Sequence, residues 1–466
     1  MTSATLTGGL RTAAPPPPAT LVGGAEVPLE AVREDLGSAR VALAAAAREN
    51  LDRLGRLPSP AEREPHQRAR AARELEHIRA LRSAFMRAHA DEVYHELVGG
   101  RGGALRLAPL VARAAEAFPG LVPTPELLAA ERALPQAQKE GHEVDHGIFF
   151  SGLLAAPGPG RHLMRTMLQP TARAIELVSQ YSATGRADLG SVRIERLDGV
   201  AYLTMCRQDS LNAEDERQVE DMETAVDLVL FDPSSEVGVL RGGEMTHARY
   251  RGRRIFSAGI NLKALHAGEI TLAGFLLRRE LGYLHKIMRG LAVTDEAAWR
   301  RPTVHKPWVA VVDGFAIGGG MQLLLVFDHV IAAKDAYLSL PAAQEGIIPG
   351  AGNFRLGRAV GERTARQVIL GGRRIFVTEP DAGGLVDEVH EGADLTAAAE
   401  RAAQHLRGPA VVANRRVLNA SFEPLDDFRE YMADFALEQA LRLYSPDVIG
   451  KVGRFANAGR PGSGSV

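Results

Sequence analysis

At about Ser191 the chain changes character, and that change limits what it can fold into more than any other feature. Before it, VPLEAVREDLGSARVALAAAARENLDRLGRL and PHQRARAARELEHIRALRSAFMRAHADEVYHELV place apolar residues at helical spacing among good helix formers. Strand-like alternation is scarce there, so residues 27–185 read as a helical N-terminal domain, or a helical arm packed on the second domain. After it, VRIERLDGVAYLTMC reads as two short strands about a Leu-Asp-Gly turn. A helix comes next in EDERQVEDMETAVDLVLFD, then a buried strand in VGVLRGG and a helix over 271–290. Then come a strand in KPWVAVVDG, a helix from GGMQLLLVFD and a strand in HVIAAKDAYLSL. Repeated strand–strand–helix and strand–helix units predict an α/β core over 186–400. Residues 401–458 turn helical again, and the apolar stripe of LDDFREYMADFALEQALRLYS suits packing on a neighbouring subunit. The Pro/Gly-rich leader 1–26 is expected to be flexible and the tail 459–466 disordered.

Several function classes drop out on composition. A formal net charge of −2 argues against nucleic acid as a partner, which calls for a concentrated basic face. The single cysteine, Cys206, excludes an internal disulfide and suits a reducing cytosol. With no neighbouring His it reads as a small buried residue rather than a nucleophile. No run of about 18 apolar residues offers a membrane span, and the N-terminus lacks the order of a signal peptide, so a soluble cytoplasmic protein is expected. GNFRLGRA, 352–359, imitates the spacing of a phosphate loop without its Lys-Ser/Thr pair. There is no G-x-S-x-G elbow. GHEVDHG offers His142, Glu143, Asp145 and His146, but nothing else pairs with them, and glycine at both ends argues for a turn; no metal is expected.

Two glycine-bearing loops survive this pruning: FSAGINLKAL, 256–265, and VVDGFAIGGGMQLLLVFD, 311–328. In the first, Ser257, Ala258 and Gly259 let the chain turn sharply and expose the N–H of Ile260. In the second, Gly318, Gly319 and Gly320 lie where a strand gives way to a helix, so their N–H groups lack intrahelical partners and sit at the positive end of the dipole. Two such N–H groups aimed at one point make an oxyanion hole. The bland alternative is that these glycines only permit tight strand–helix packing.

These loops, with SLNAED (210–215), FDHVIAAKDAYLSLPAAQEGIIPGAG (327–352) and SPDVIGKVGRF (445–455), resemble the crotonase (enoyl-CoA hydratase/isomerase) superfamily in the family's own order over about 190–455. The resemblance implies a spiral of ββα units, C-terminal helices that trimerise, and often a dimer of trimers. It implies an acyl-CoA ligand whose thioester oxygen is held by the N–H groups of Ile260 and Gly319. CoA contacts would fall at Arg207, Gln208, the SLNA turn and Ala258, with Gly259 and Gly320 completing the two loops.

The departures from that family are as informative. Its hydratases carry one glutamate where this chain has Gln322, and a second, directly after a proline, where this chain has Ala342. Glu345, although near, reads as an outlying or surface residue. An amide has no useful pKa, so water addition loses its acid and base while the oxyanion hole is kept. The substrate carbon should then already be acidic, as in an arylacetyl-CoA. One branch of the superfamily combines this amide with a long helical extension, and the insert GGEMTHARYRGRRIFSAG resembles that branch too. What it implies is a metal- and flavin-free dioxygenase reaction: 3,5-dihydroxyphenylacetyl-CoA and O2 give 3,5-dihydroxyphenylglyoxylate and CoA, in glycopeptide-antibiotic biosynthesis.

Anchors for the ring would be Glu214, Arg279 (with Arg278 facing another way) and His247, each with the alternative of a solvated charge. Lys263, Arg253 and Arg254 read as CoA-phosphate or surface charges. Two rival readings remain: an acyl-CoA thioesterase or isomerase using the hole without O2, and a non-catalytic scaffold.

Overall fold

The computed structural model describes residues 27–100, 103–246, 248–293 and 303–451. The leader, the tail and His247 lie outside these residues.

Among the described residues up to Thr184 the chain is helical, with Leu36–Gly55 and the long Pro65–Val98 as its largest members. Sequence sets the starts locally: Asp35 accepts from the N–H groups of Gly37 and Ser38, Thr171 accepts from that of Ala174, and prolines open Pro65–Val98, Pro125–Arg132 and Pro157–Met167. Asp198 (φ 46°) and Gly199 (φ 78°) then form the tight turn of the expected hairpin, pairing Val192–Leu197 with Val200–Met205. That hairpin leads into a seven-stranded sheet. Its strands run Arg186–Asp188, 192–197, 200–205, Val237–Gly242, Trp308–Val312, His329–Ala333 and Glu388–His390 in spatial order. The first three are antiparallel and every pair from 200–205 onward is parallel. Helix Glu216–Phe231, capped by the Asp215 side chain, carries the crossover between 200–205 and 237–242.

Four expectations need correction. HVIAAKDAYLSL is two strands: His329–Ala333 joins the large sheet, while Tyr337–Ser339 pairs in parallel with Phe315–Ile317 in a second, small sheet. GHEVDHG is no turn but the start of helix Glu143–Ala155. The stripe on Leu425–Leu443 is covered by its own chain: Phe428, Met432, Phe435, Ala436, Ala440 and Leu443 are buried. Gly147 makes room for this contact, since a Cβ there would stand 2.6 Å from Ala440 Cβ. Burial of each larger apolar side chain contributes roughly 1.5–3 kcal/mol, so this seam binds the helical N-terminal region to the C-terminal helix. The neighbouring helix Pro409–Phe422 leaves Val417, Leu418 and Phe422 exposed.

The fourth correction bears on the site. Residues 271–290 do not form one regular helix; Leu272–Leu277 and Glu280–Leu284 are wound as π-turns before His285–Arg289 returns to α geometry. At Gly282 (φ −90°, ψ −110°) the backbone leaves helical geometry beside the Glu223 carboxylate, which a Cβ there would approach to 2.8 Å.

Candidate active site

The first loop is locked by its own polar groups. Ser257 Oγ donates to the Asn212 carbonyl (2.9 Å) and accepts from the Gly259 N–H (3.1 Å). Glu214 N–H reaches the Gly259 carbonyl at 2.7 Å, and Asn261 N–H reaches the Glu214 carbonyl at 2.8 Å. This bridge between 210–215 and 257–261 uses the amides on either side of Ile260 and leaves its own N–H without an acceptor among the described residues. In the second loop Gly318 adopts φ 53° and ψ −117°, donates to the Ser339 carbonyl at 2.7 Å, and hands the chain to helix Gly319–Leu324. As the first helical residue, Gly319 has no intrahelical acceptor, and none among the described residues replaces it.

Ile260 and Gly319 line one chamber of ≈ 40 Å³, room for a few water-sized molecules. The structure brings Glu214, Arg279 and Gln322 to the same chamber. Arg279 organises it. Its Nε lies 3.1 Å from both oxygens of Glu214, its Nη1 donates to Glu280 Oε1 (2.7 Å) and Gln322 Oε1 (3.1 Å), and its Nη2 donates to the Gly319 carbonyl (2.7 Å). Tyr283 adds a hydrogen bond to Glu214 at 2.7 Å. These bonds take four of the five guanidinium N–H groups and leave one on Nη2. Arg278 turns away to Glu223 Oε2 at 2.7 Å.

Gln322 is oriented by the same arginine. A guanidinium only donates, so the amide oxygen must face it, and the NH2 group is left without a partner among the described residues. Gly350 (φ 44°) permits this, because a Cβ there would stand 2.0 Å from Glu280 Oε1 and 2.7 Å from Gln322 Oε1.

Glu345 is misjudged by the sequence reading. It lines the chamber at the end of the short helix Ala342–Glu345, whose first residue also lines it. Burial pushes its carboxyl up to about 7. Glu280 and Tyr283 went unrecognised; Glu280 meets Arg279 from the adjacent position, and Tyr283, four residues on, reaches Glu214 across the site.

Five proposed ligand-binding residues do not line the chamber: Arg207, Gln208, Ala258, Gly259 and Gly320. Arg207 is held by Asp209 and Asp215, the closest approach being 2.6 Å. Gly320 serves close packing, since a Cβ there would meet Ser257 Cβ at 2.7 Å. Among the described residues no group of three or more His, Cys, Asp or Glu side chains is placed to hold a metal ion.

Residues 195–441 match the enoyl-CoA hydratase/isomerase family. The chain is 59% identical over 419 residues to a (3,5-dihydroxyphenyl)acetyl-CoA 1,2-dioxygenase of Amycolatopsis orientalis, covering 90% of this chain and 96% of that protein. It is 30% identical over 236 residues to a probable enoyl-CoA hydratase of Rhizobium meliloti (strain 1021), covering 49% and 81%. A crystal structure of an enoyl-CoA hydratase from Mycobacterium avium subsp. paratuberculosis K-10 aligns with a TM-score of 0.47 at 26% identity, over 57% of this chain and 99% of that one.

Proposed function

The chain belongs to the enoyl-CoA hydratase/isomerase family, and from that premise we propose that it is a dioxygenase converting 3,5-dihydroxyphenylacetyl-CoA and O2 to 3,5-dihydroxyphenylglyoxylate and CoA. The observation that carries this reading is the 59% identity, over 90% of the chain, to a dioxygenase named for that substrate, against no more than 30% for the probable hydratase over half the chain. The fold is the crotonase fold, with a helical N-terminal region ahead of it and helices after it. The product is the keto acid precursor of dihydroxyphenylglycine for glycopeptide-antibiotic assembly.

The chemistry rests on the chamber. The unpartnered N–H groups of Ile260 and Gly319 receive the thioester oxygen, and their bonds strengthen as it takes on enolate charge. The enolate, made electron-rich by the ring, is itself the reductant for O2, so the reaction needs neither metal nor flavin. Both oxygen atoms enter the product: one becomes the α-keto oxygen, the other joins the carboxylate as the C–S bond breaks and CoA leaves as thiol. Gln322, its oxygen held by Arg279, offers its NH2 group to the peroxide that forms at the α-carbon. Glu214 and the free N–H of Arg279 Nη2 bind the ring hydroxyls. The chamber is too small for an aryl ring as it stands, so seating one moves the apolar wall of Phe275, Leu276, Ile347 and Phe435. Arg207, Gln208 and Ala258 contact the CoA moiety outside it.

The exposed Val417, Leu418 and Phe422 support assembly into a trimer or dimer of trimers through Pro409–Phe422. No helix among the described residues is long and apolar enough to cross a membrane, which fits the cytoplasmic setting of a CoA-dependent reaction.

Oxygen uptake by chelator-treated protein, followed together with free thiol and keto acid, tests the reading. One O2 consumed per CoA released is expected. CoA release without O2 consumption would turn the protein into a thioesterase and remove the role given to Gln322.

A further inference from the structure

Three carboxylates line the chamber: Glu214, Glu280 and Glu345. Two of them are committed. Glu214 accepts from Arg279 and Tyr283, and Glu280 accepts from Arg279 with Arg355 3.8 Å from its other oxygen. Glu345 is different: no described residue hydrogen-bonds or ion-pairs with its side chain. Its place in the fold is equally pointed. Ala342 stands at the position of the second glutamate of the family's hydratases, and Glu345 lies at i+3 from it on the one-turn helix Ala342–Glu345. Residues three apart share a helix face, and both line the chamber. The carboxylate missing at Ala342 thus returns one turn later, on the same wall.

Resting on the function proposed above, we infer that Glu345 is the catalytic base that takes the first proton from the substrate's α-carbon. One C–H bond breaks and its electron pair becomes the enolate C=C. The thioester oxygen takes the negative charge under the N–H groups of Ile260 and Gly319, and the proton forms a new O–H bond on Glu345. No oxidant enters this step. Its elevated proton affinity, with a carboxyl near 7, matches it to carbon acid chemistry at neutral pH better than an ordinary glutamate.

The test separates this step from oxygenation. Under anaerobic conditions in D2O, exchange of the α-protons of 3,5-dihydroxyphenylacetyl-CoA is followed by NMR for the wild type, Glu345→Gln and Glu345→Asp, with binding of the non-hydrolysable thioether analogue measured in parallel. Expected is an exchange rate lowered at least about 100-fold in Glu345→Gln, partial recovery in Glu345→Asp, and analogue affinity within about threefold of wild type. The wild-type exchange rate should rise with pH through about 7, where the carboxyl ionises, and that limb should vanish in Glu345→Gln. Exchange by Glu345→Gln within about fivefold of wild type overturns the inference, as does parallel loss of exchange and binding in both variants. A wild type that exchanges protons but consumes no O2 would sink the dioxygenase reading while leaving Glu345 as the base.

Discussion

Glu214 stands over Gly319 so closely that a Cβ on that glycine would lie 1.8 Å from Glu214 Oε2 and 3.1 Å from Arg279 Nη2. The carboxylate cannot yield cheaply, because Arg279 and Tyr283 both hold it. Gly319→Ala therefore sets two buried groups against each other at the point where the thioester oxygen is to be held. Turnover should fall by about 10²–10³-fold or more, the size of losing one oxyanion donor, and stability by about 1–3 kcal/mol from overpacking. Steady-state kinetics and urea denaturation read the two separately. A variant with near-normal turnover would remove Gly319 from the hole.

The buried Arg279 holds two carboxylates, Glu214 and Glu280. Arg279→Met strips both of their guanidinium and should cost about 3–5 kcal/mol of stability. Glu214→Gln leaves Arg279 paired with Glu280 and should cost only about 1–3 kcal/mol. The same single variant tests ring recognition. If the carboxylate accepts from a ring hydroxyl, the preference in kcat/KM for the dihydroxylated substrate over phenylacetyl-CoA should shrink by about tenfold or more. An unchanged preference would make the pair purely structural.

Gln322 meets Arg279 through its oxygen, so truncation removes a donor aimed at the chamber and frees one guanidinium N–H. Gln322→Ala should slow oxygenation by about 10–100-fold while substrate affinity stays within about threefold. Equal losses in kcat and affinity would mean that the amide only fills space.

Much of this was legible from residue types alone, and the failures share a cause. The hairpin about Asp198–Gly199 and the strand–helix loop at Gly318–Gly320 were readable because turn chemistry is local. So was the departure at Gln322. What escaped depends on contacts distant in sequence. Glu280 is placed by its partners Arg279 and Arg355, the second distant in sequence. Glu345 looked peripheral because its burial is made by elements that its local sequence does not specify. The stripe on Leu425–Leu443 showed that the helix must be covered but not by what, and the answer lies some 280 residues earlier, in Glu143–Ala155.

That seam contains a buried acid whose titration should be visible in stability. Glu143 accepts from Tyr444 Oη (3.3 Å) and the Leu272 N–H (3.4 Å), while its Oε1 has no partner among the described residues. Burial raises its carboxyl to about 7, against the pull of Lys139 and Arg132 and with a further push from Glu131. Between its unfolded value near 4.5 and about 7, the folded protein keeps a proton that the unfolded chain has lost. Stability contributed by this group is therefore fully present below about 4.5 and declines as pH rises to about 7, by on the order of 3 kcal/mol. His146, buried on the same helix and lowered to about 4, works in the opposite direction as pH falls below its unfolded value of 6.5, so the wild-type curve alone mixes the two. The difference between Glu143→Gln and wild type isolates Glu143, because the amide keeps an acceptor for Tyr444 and Leu272 without the charge. Urea denaturation at pH 5, 6, 7 and 8 should show the variant gaining on the wild type with each step, by up to about 3 kcal/mol at the top. A difference that stays constant across this range would mean that Lys139 keeps Glu143 ionised in the folded seam, and the joint between the helical region and the C-terminal helix would then be a buried ion pair instead of a protonated acid.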